Sequence, residues 1–142
     1  MSTQILAPAA VLILWSLLIL IWTVAVRIGA LKKAGIDLSK AAPGRRGINL
    51  DGVLPDKAQW KSHNYNHLME QPTLFYAVIA ILAIAGAGTG LNLQLAWAYV
   101  VLRITHSLWQ ALVNRIPVRL SLFALSTFCL IALAINALRA VI

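Results

Sequence analysis

Long uncharged apolar runs, separated by short polar segments, organise the chain. From Ile5 to Val26 there are 22 consecutive uncharged residues, enough to cross a hydrocarbon core roughly 30 Å thick at about 1.5 Å per helical residue. Gln71 to Leu102 is a second such stretch, 32 residues long. Gly86-Ala-Gly-Thr-Gly-Leu-Asn92 interrupts it with turn-favouring residues, so it predicts two spans joined tightly. Leu120 to Leu138 supplies 19 more uncharged residues between Arg119 and Arg139 and predicts a fourth. Lipid forces a spanning backbone to satisfy its own hydrogen bonds, so all four should be helices. The expected architecture is an all-α integral membrane protein, a four-transmembrane-helix bundle in one domain over residues 1–142. Its spans fall at about 5–31, 57–85, 91–115 and 118–140. The first run is too long, and Met1-Ser-Thr-Gln4 too free of basic residues, for a cleavable signal peptide; this helix is expected to stay in the mature chain.

Composition sharpens this reading. Of 142 residues, 61% are hydrophobic and 11% charged, with a formal net charge of +8 and a mean hydropathy of +0.82. Such a chain has too little polar surface for a water-soluble, nucleic-acid-binding domain, so no nucleic-acid partner is expected and the basic excess needs a membrane explanation. Eight of the twelve basic residues, Arg27, Lys32, Lys33, Lys40, Arg45, Arg46, Lys57 and Lys61, lie at or within the first connection. Arg115 and Arg119 lie at the third, and the Gly-rich second connection has none. The positive-inside rule then puts connections one and three in the cytoplasm and both termini outside, as for a multi-pass membrane protein. Attraction to anionic lipid head groups accounts for the basic loop. Gly44-Arg-Arg-Gly47 lacks the P-loop pattern. The single cysteine, Cys129, excludes an internal disulfide and a CxxC relay, and reads as a small buried hydrophobe. Trp15, Trp22, Trp97 and Trp109 read as ordinary membrane-helix or interface aromatics.

Two polar stripes do not fit a purely structural membrane helix. Span two is expected to begin near Lys57, with Asp56 as N-cap and Gln59 three residues on in a capping-box-like pair. Along it His63, Asn66, His67 and Glu70 stand at i, i+3, i+4 and i+7 on one face. Pro72 follows, removes the hydrogen bond to the Leu68 carbonyl and is expected to kink the helix. In span three Arg103, Ser107, Gln110 and Asn114 form a second stripe with His106 beside it. An arginine near mid-bilayer costs at least roughly 2.5 to 3.5 kcal/mol on insertion scales, so Arg103 should face inward and find an acid. Glu70 is the one candidate outside the first connection, and the two are expected to meet. The competing reading is that the stripes only hold helices together. The H-x3-H-x2-E spacing also suits a metal ion. A dinuclear carboxylate site would need acids from several helices, whereas one carboxylate lies in the membrane, and no metal is expected.

The runs Trp60-Lys-Ser-His-Asn-Tyr-Asn-His-Leu-Met-Glu-Gln-Pro-Thr-Leu-Phe-Tyr76 and Leu102-Arg-Ile-Thr-His-Ser-Leu-Trp-Gln-Ala-Leu-Val-Asn-Arg-Ile-Pro-Val-Arg119 resemble the MAPEG family, the membrane-associated proteins in eicosanoid and glutathione metabolism, and most of all its bacterial branch. The resemblance covers nearly the whole chain. It implies a four-helix protomer, a homotrimer with sites between neighbouring subunits near the cytoplasmic face, and glutathione as co-substrate, its thiol attacking an apolar electrophile or lipid. Glu70 matches the second-helix glutamate of glutathione-binding members, with Leu74 and Phe75 after it. His67 stands where those members have asparagine, and His63 where the leukotriene-forming type has arginine. Lys32 or Lys33 falls at a ligand-binding arginine. Arg115 matches the arginine thought to hold the thiol as thiolate, and Arg103 matches another family arginine. Ile104 and Leu108 stand where the leukotriene-forming type has ligand-contacting tyrosines.

The resemblance therefore implies a glutathione site made of Lys32, His63, His67, Glu70 and Arg115, with Arg115 catalytic. A structural polar network of Glu70, Arg103, His106, Gln110 and Asn114 is expected beside it. Arg115 has a definite physical role, since a nearby cation lowers a thiol pKa from about 8.5 toward neutrality. The face of span three bearing Ile104, Leu108 and Arg115 is mostly apolar and distinct from its polar stripe. The expected function is membrane glutathione transfer, with lipid peroxide reduction as an accompanying activity. The alternative is a non-catalytic protein of the same fold that binds lipid or serves a structural role. A transporter is disfavoured, because four spans without broken helices or inverted repeats give little from which to build alternating access.

Overall fold

A computed structural model describes all 142 residues, and every regular element in it is helical. The helices are α1 (Leu6–Lys33), α2 (Asp56–Ile84), α3 (Leu91–Leu112) and α4 (Ile116–Val141). Two short 3₁₀ turns, Leu38–Lys40 and Gly47–Leu50, lie in the long connection between α1 and α2. The apolar runs thus become the elements they predict. Three of the helices, α1, α2 and α4, are long and apolar enough to cross a membrane. The fourth, α3, has 22 residues, a spanning length, but carries the polar stripe.

Helix ends follow local chemistry. Gly35, at φ +66°, closes α1 in a Schellman motif: the Gly35 N–H donates to Lys32 O and the Ile36 N–H to Leu31 O. Lys32 and Lys33 sit in that last turn, where the helix dipole favours cations. Gly86, at φ +74°, ends α2 in the same way, through Gly86 N–H to Ala83 O and Ala87 N–H to Leu82 O. The start of α2 differs from expectation. Pro55 is its N-cap and makes no side-chain cap bond, Asp56 is the first helical residue, and Gln59 is buried rather than folded back on the cap. Proline at the cap supplies a fixed φ, and its carbonyl accepts from the Ala58 and Gln59 N–H groups of the first turn. α2 runs unbroken through Pro72. α3 stops at Leu112, short of the expected 115, because Asn114 adopts φ +56° and its N–H turns back to Trp109 O. Pro117 then opens α4.

Inter-helix hydrogen bonds fix the topology. Thr23 Oγ1 donates to Lys61 O and Arg27 Nη2 to Ser62 Oγ, joining α1 to α2. Tyr99 OH donates to Gln71 Oε1, and Gln71 Nε2 to Thr127 Oγ1, tying α3 through α2 to α4. Trp15 Nε1 donates to Ser107 Oγ, and Asn136 Nδ2 to Asn92 Oδ1. The Ser2 N–H meets Ala83 O. These contacts make the bundle up-down-up-down. Both termini lie with the α2–α3 turn at one end, and the basic connection lies with the α3–α4 turn at the other.

The interior stripe repeats every three or four residues: Leu12, Ser16, Ile19 and Thr23 on α1; Asn64, Leu68, Pro72, Phe75, Ile79 and Leu82 on α2; Ser126, Leu130, Leu133 and Ala137 on α4. Phe75 stacks on Tyr99 at 4.3 Å. Large apolar side chains such as Leu14, Ile21, Leu74, Ile84 and Phe128 point outward instead. That arrangement suits a bundle whose solvent is lipid, where small and polar residues rather than apolar ones mark the helix-facing side.

Candidate functional site

The polar stripe of α3 faces the bundle interior. Arg103, His106, Ser107 and Gln110 are all buried, and Arg103 has no exposed surface. A guanidinium there needs acceptors. Arg103 Nη2 donates to His67 Nδ1 at 3.0 Å and to the His67 carbonyl at 3.1 Å, and its guanidinium carbon lies 5.9 Å from the Phe123 ring centroid. Arg103 Nε and Nη1 have no partner. The expected ion pair with Glu70 does not form, since the one ion pair in the chain is His63–Asp51. The reason is rotational. Glu70 falls on the exposed side of α2, whereas His67, one turn earlier, is rotated far enough inward to meet α3 first.

An arginine is only ever a donor, so Nδ1 of His67 must accept. His67 is therefore held as the neutral tautomer with its proton on Nε2. The His106 ring stacks on it at 4.8 Å and 17°, and Phe123 meets it edge-on at 5.6 Å. Arg119, one turn into α4, donates from Nη1 to Asn114 Oδ1 at 2.7 Å. These groups line a cleft of about 350 Å³ between α2, α3 and α4, walled by His67, His106, Ile116, Arg119, Leu120 and Phe123. Asn114, expected at the end of the buried stripe, instead sits half-buried in the α3–α4 turn as the acceptor for Arg119. Ending α3 two residues before Asn114 takes it off the stripe.

The other expected site residues lie on the outside of the protomer. Glu70 is exposed. His63 is exposed and pairs through Nε2 with Asp51 at 3.2 Å. Lys32 is exposed at the end of α1, and Arg115 is exposed between α3 and α4, where its carbonyl accepts from Trp109 Nε1. His63 shares a small cavity with Asp51, Asp56, Gln59 and Asn114, whereas neither Glu70 nor Arg115 lines the larger cavities of the single chain. His67 is thus the one expected glutathione ligand that the fold draws into the polar interior. No three His, Cys, Asp or Glu side chains come together in a metal-binding group.

Sequence reasoning missed several members of the site. Arg119 reads as a boundary charge, and only the early end of α3 brings it to Asn114. Tyr99 stands four residues before Arg103, on the same helical face, and that spacing could have found it. Asp51, the partner of His63, lies in the irregular connection, where no periodicity points to it. A further cavity of about 730 Å³ lies in that connection, lined by Arg27, Lys40, Arg45 and Arg46 with Leu31, Ile36, Leu50 and Val53. Its one acid, Asp37, has its carboxyl held below the usual range by the Ser39 hydroxyl and then the Ser39 N–H.

Fold and site define a polytopic helical membrane protein with a basic, histidine-containing polar centre that extends from mid-bundle toward the end carrying the α3–α4 turn. The profile of the MAPEG family matches residues 5–139, nearly the whole chain, and the protein belongs to that family. No curated protein and no solved structure matches it significantly.

Proposed function

We propose that the protein is a membrane-bound glutathione transferase that works as a homotrimer, joining the glutathione thiol to apolar electrophiles drawn from the bilayer. Membership of the MAPEG family supports the class of activity. The observation that carries the site is the outward placement of Lys32, His63, Glu70 and Arg115. Four charged or ionisable side chains at lipid or boundary positions, of which His63 alone lines a cavity of the protomer and none shares a cavity with another, fit a site completed by a neighbouring copy. Lys32 and His63 supply donors for the two glutathione carboxylates, and Glu70 an acceptor for its amine. Arg115 stabilises the thiolate. The thiol proton leaves to water, the sulfur lone pair attacks the electrophilic carbon, a C–S bond forms, and the displaced group departs with the bonding pair. The basic end of the bundle faces the cytoplasm of a bacterial inner membrane, where glutathione is dissolved.

A second reading has a specific observation in its favour. Ile104 and Leu108 are apolar where ligand-contacting tyrosines are expected, and Leu108 is 40% exposed, so this face also suits a lipid chain in a non-catalytic protein. Calorimetric titration of the purified protein with glutathione separates the two, followed by a spectroscopic assay with a chloronitrobenzene. Heat of binding and formation of the thioether support the transferase. No heat at millimolar glutathione leaves the lipid-binding reading.

A further inference from the structure

The cleft between α2, α3 and α4 has an electrostatic imbalance that glutathione transfer does not use. Arg103 is completely buried with two of its three guanidinium nitrogens unpartnered, and Arg119 lines the cleft a short way off. No carboxylate lies within ion-pairing distance of either: the chain's one ion pair is His63–Asp51, and Glu70, on the outer face, acts on Arg103 only from a longer range. A buried cation without a counter-charge is costly, and its field favours an anion nearby. The cleft is built to receive one. Arg103 stands behind the His67 and Phe123 rings, and by fixing His67 as the Nε2–H tautomer it leaves that N–H without a protein partner. Asn114 orients the Arg119 guanidinium through a 2.7 Å hydrogen bond to Nη1, leaving Nη2 free. The outer wall is apolar: Ile116 is 72% exposed and Leu120 64%.

We propose that this cleft binds the phosphate of a net-anionic phospholipid, which accepts from Arg119 and from the Nε2–H of His67 while an acyl chain lies against Ile116 and Leu120. A lipid is favoured over free phosphate because the wall beside the two donors is exposed hydrocarbon at the start of a spanning helix. The bound lipid supplies a close counter-charge beside the Arg103–His67 pair, and it pins α4 to α2. The site takes His67 from the expected glutathione ligands but uses neither Glu70 nor Arg115, which lie outside the cleft.

The test is lipid binding by native mass spectrometry and thermal unfolding in nanodiscs, without glutathione. Wild-type protein should retain phosphatidylglycerol through detergent exchange and lose phosphatidylcholine, and should unfold at higher temperature in discs containing phosphatidylglycerol. Arg119→Gln and the cleft-filling Leu120→Trp, which leaves the charge unchanged, should each weaken phosphatidylglycerol retention by about tenfold or more, the usual worth of a charge-assisted contact. Arg119→Lys should keep most of it, which guards against misfolding as the cause. Arg139→Gln, at the far end of the bundle, should keep all of it. Equal retention in wild type, Arg119→Gln and Leu120→Trp overturns the proposal. So does equal weakening by Arg139→Gln, which would mean diffuse attraction, or displacement of the lipid by inorganic phosphate at matched concentration, which would mean a free-anion site.

Discussion

Arg103 on α3 donates to both the ring Nδ1 and the backbone carbonyl of His67 on α2, at 3.0 and 3.1 Å. The pair joins the centres of two helices that also meet through the His67–His106 stack, the Tyr99–Gln71 hydrogen bond and the Phe75–Tyr99 stack. It also decides which histidine nitrogen is left to act. A carboxylate partner would have neutralised Arg103, whereas a histidine partner orients the guanidinium and leaves its charge in place.

Removing one half of this pair should therefore be worse than removing both. His67→Leu deletes the ring acceptor of a buried cation and should destabilise the bundle by about 1.5–3 kcal/mol, the range for hydrogen bonds to charged groups. Arg103→Met combined with His67→Leu puts apolar groups in both places and should recover much of that loss. Equilibrium unfolding in mixed micelles, run as a double-mutant cycle, measures the coupling. Strictly additive losses would show that the contact contributes nothing.

Arg115 is predicted to act on the thiol and not on the fold. It is exposed and its side chain makes no hydrogen bond within the chain, so Arg115→Ala should leave thermal unfolding unchanged. If Arg115 lowers the bound thiol from about 8.5 to about 7, the thiolate fraction at pH 7 falls roughly 15-fold when it is removed. The defect should shrink as pH rises, because an unassisted thiol is mostly ionised by about pH 9. A pH profile of conjugation checks this. A defect of equal size at both ends of the range would assign Arg115 to binding instead.

The fold was legible in the sequence because lipid allows few structures: uncharged runs of spanning length must be helices, and glycines must carry the turns. Which residues face inward was only partly legible. In a membrane bundle an outward Leu14 and an inward Leu12 look alike, so the inward face shows through its polar members, Ser16 and Thr23 on α1 and the Arg103 stripe on α3. The partner of Arg103 was not legible. His67 and Glu70 differ by 60° around the helix axis, and that rotation is set by packing that no spacing rule contains. Asn114 was misplaced for a local reason, since asparagine both continues a polar stripe and ends a helix in the left-handed region.

Asn114 offers a direct check of that second role. At φ +56° a side chain without local polar contacts is strained by about 1–2 kcal/mol. Asn114→Ala should therefore cost about that much and also release Arg119. Asn114→Gly should be nearly neutral for the backbone while releasing Arg119 just the same. Comparing the two variants by thermal unfolding separates the turn from the hydrogen bond. If alanine and glycine behave alike, the left-handed conformation carries no cost here.

At the opposite end, Gly88 lets the N-terminus close over the α2–α3 turn. A Cβ on Gly88 would lie 2.6 Å from Ile5 Cγ2 and 3.0 Å from Ser2 Oγ, and Ile5 is fully buried. The Ser2 N–H bond to Ala83 O holds the segment in place, so it cannot simply swing away. Gly88→Ala should thus overpack the junction and cost about 1–3 kcal/mol. Shortening the residue it strikes should relieve this, so Ile5→Ala in the Gly88→Ala background is expected to destabilise far less than Ile5→Ala alone. Unfolding midpoints of the two single variants and the double variant decide it. A double variant as unstable as the sum of the singles would show that the cost of Gly88→Ala does not come from the clash with Ile5.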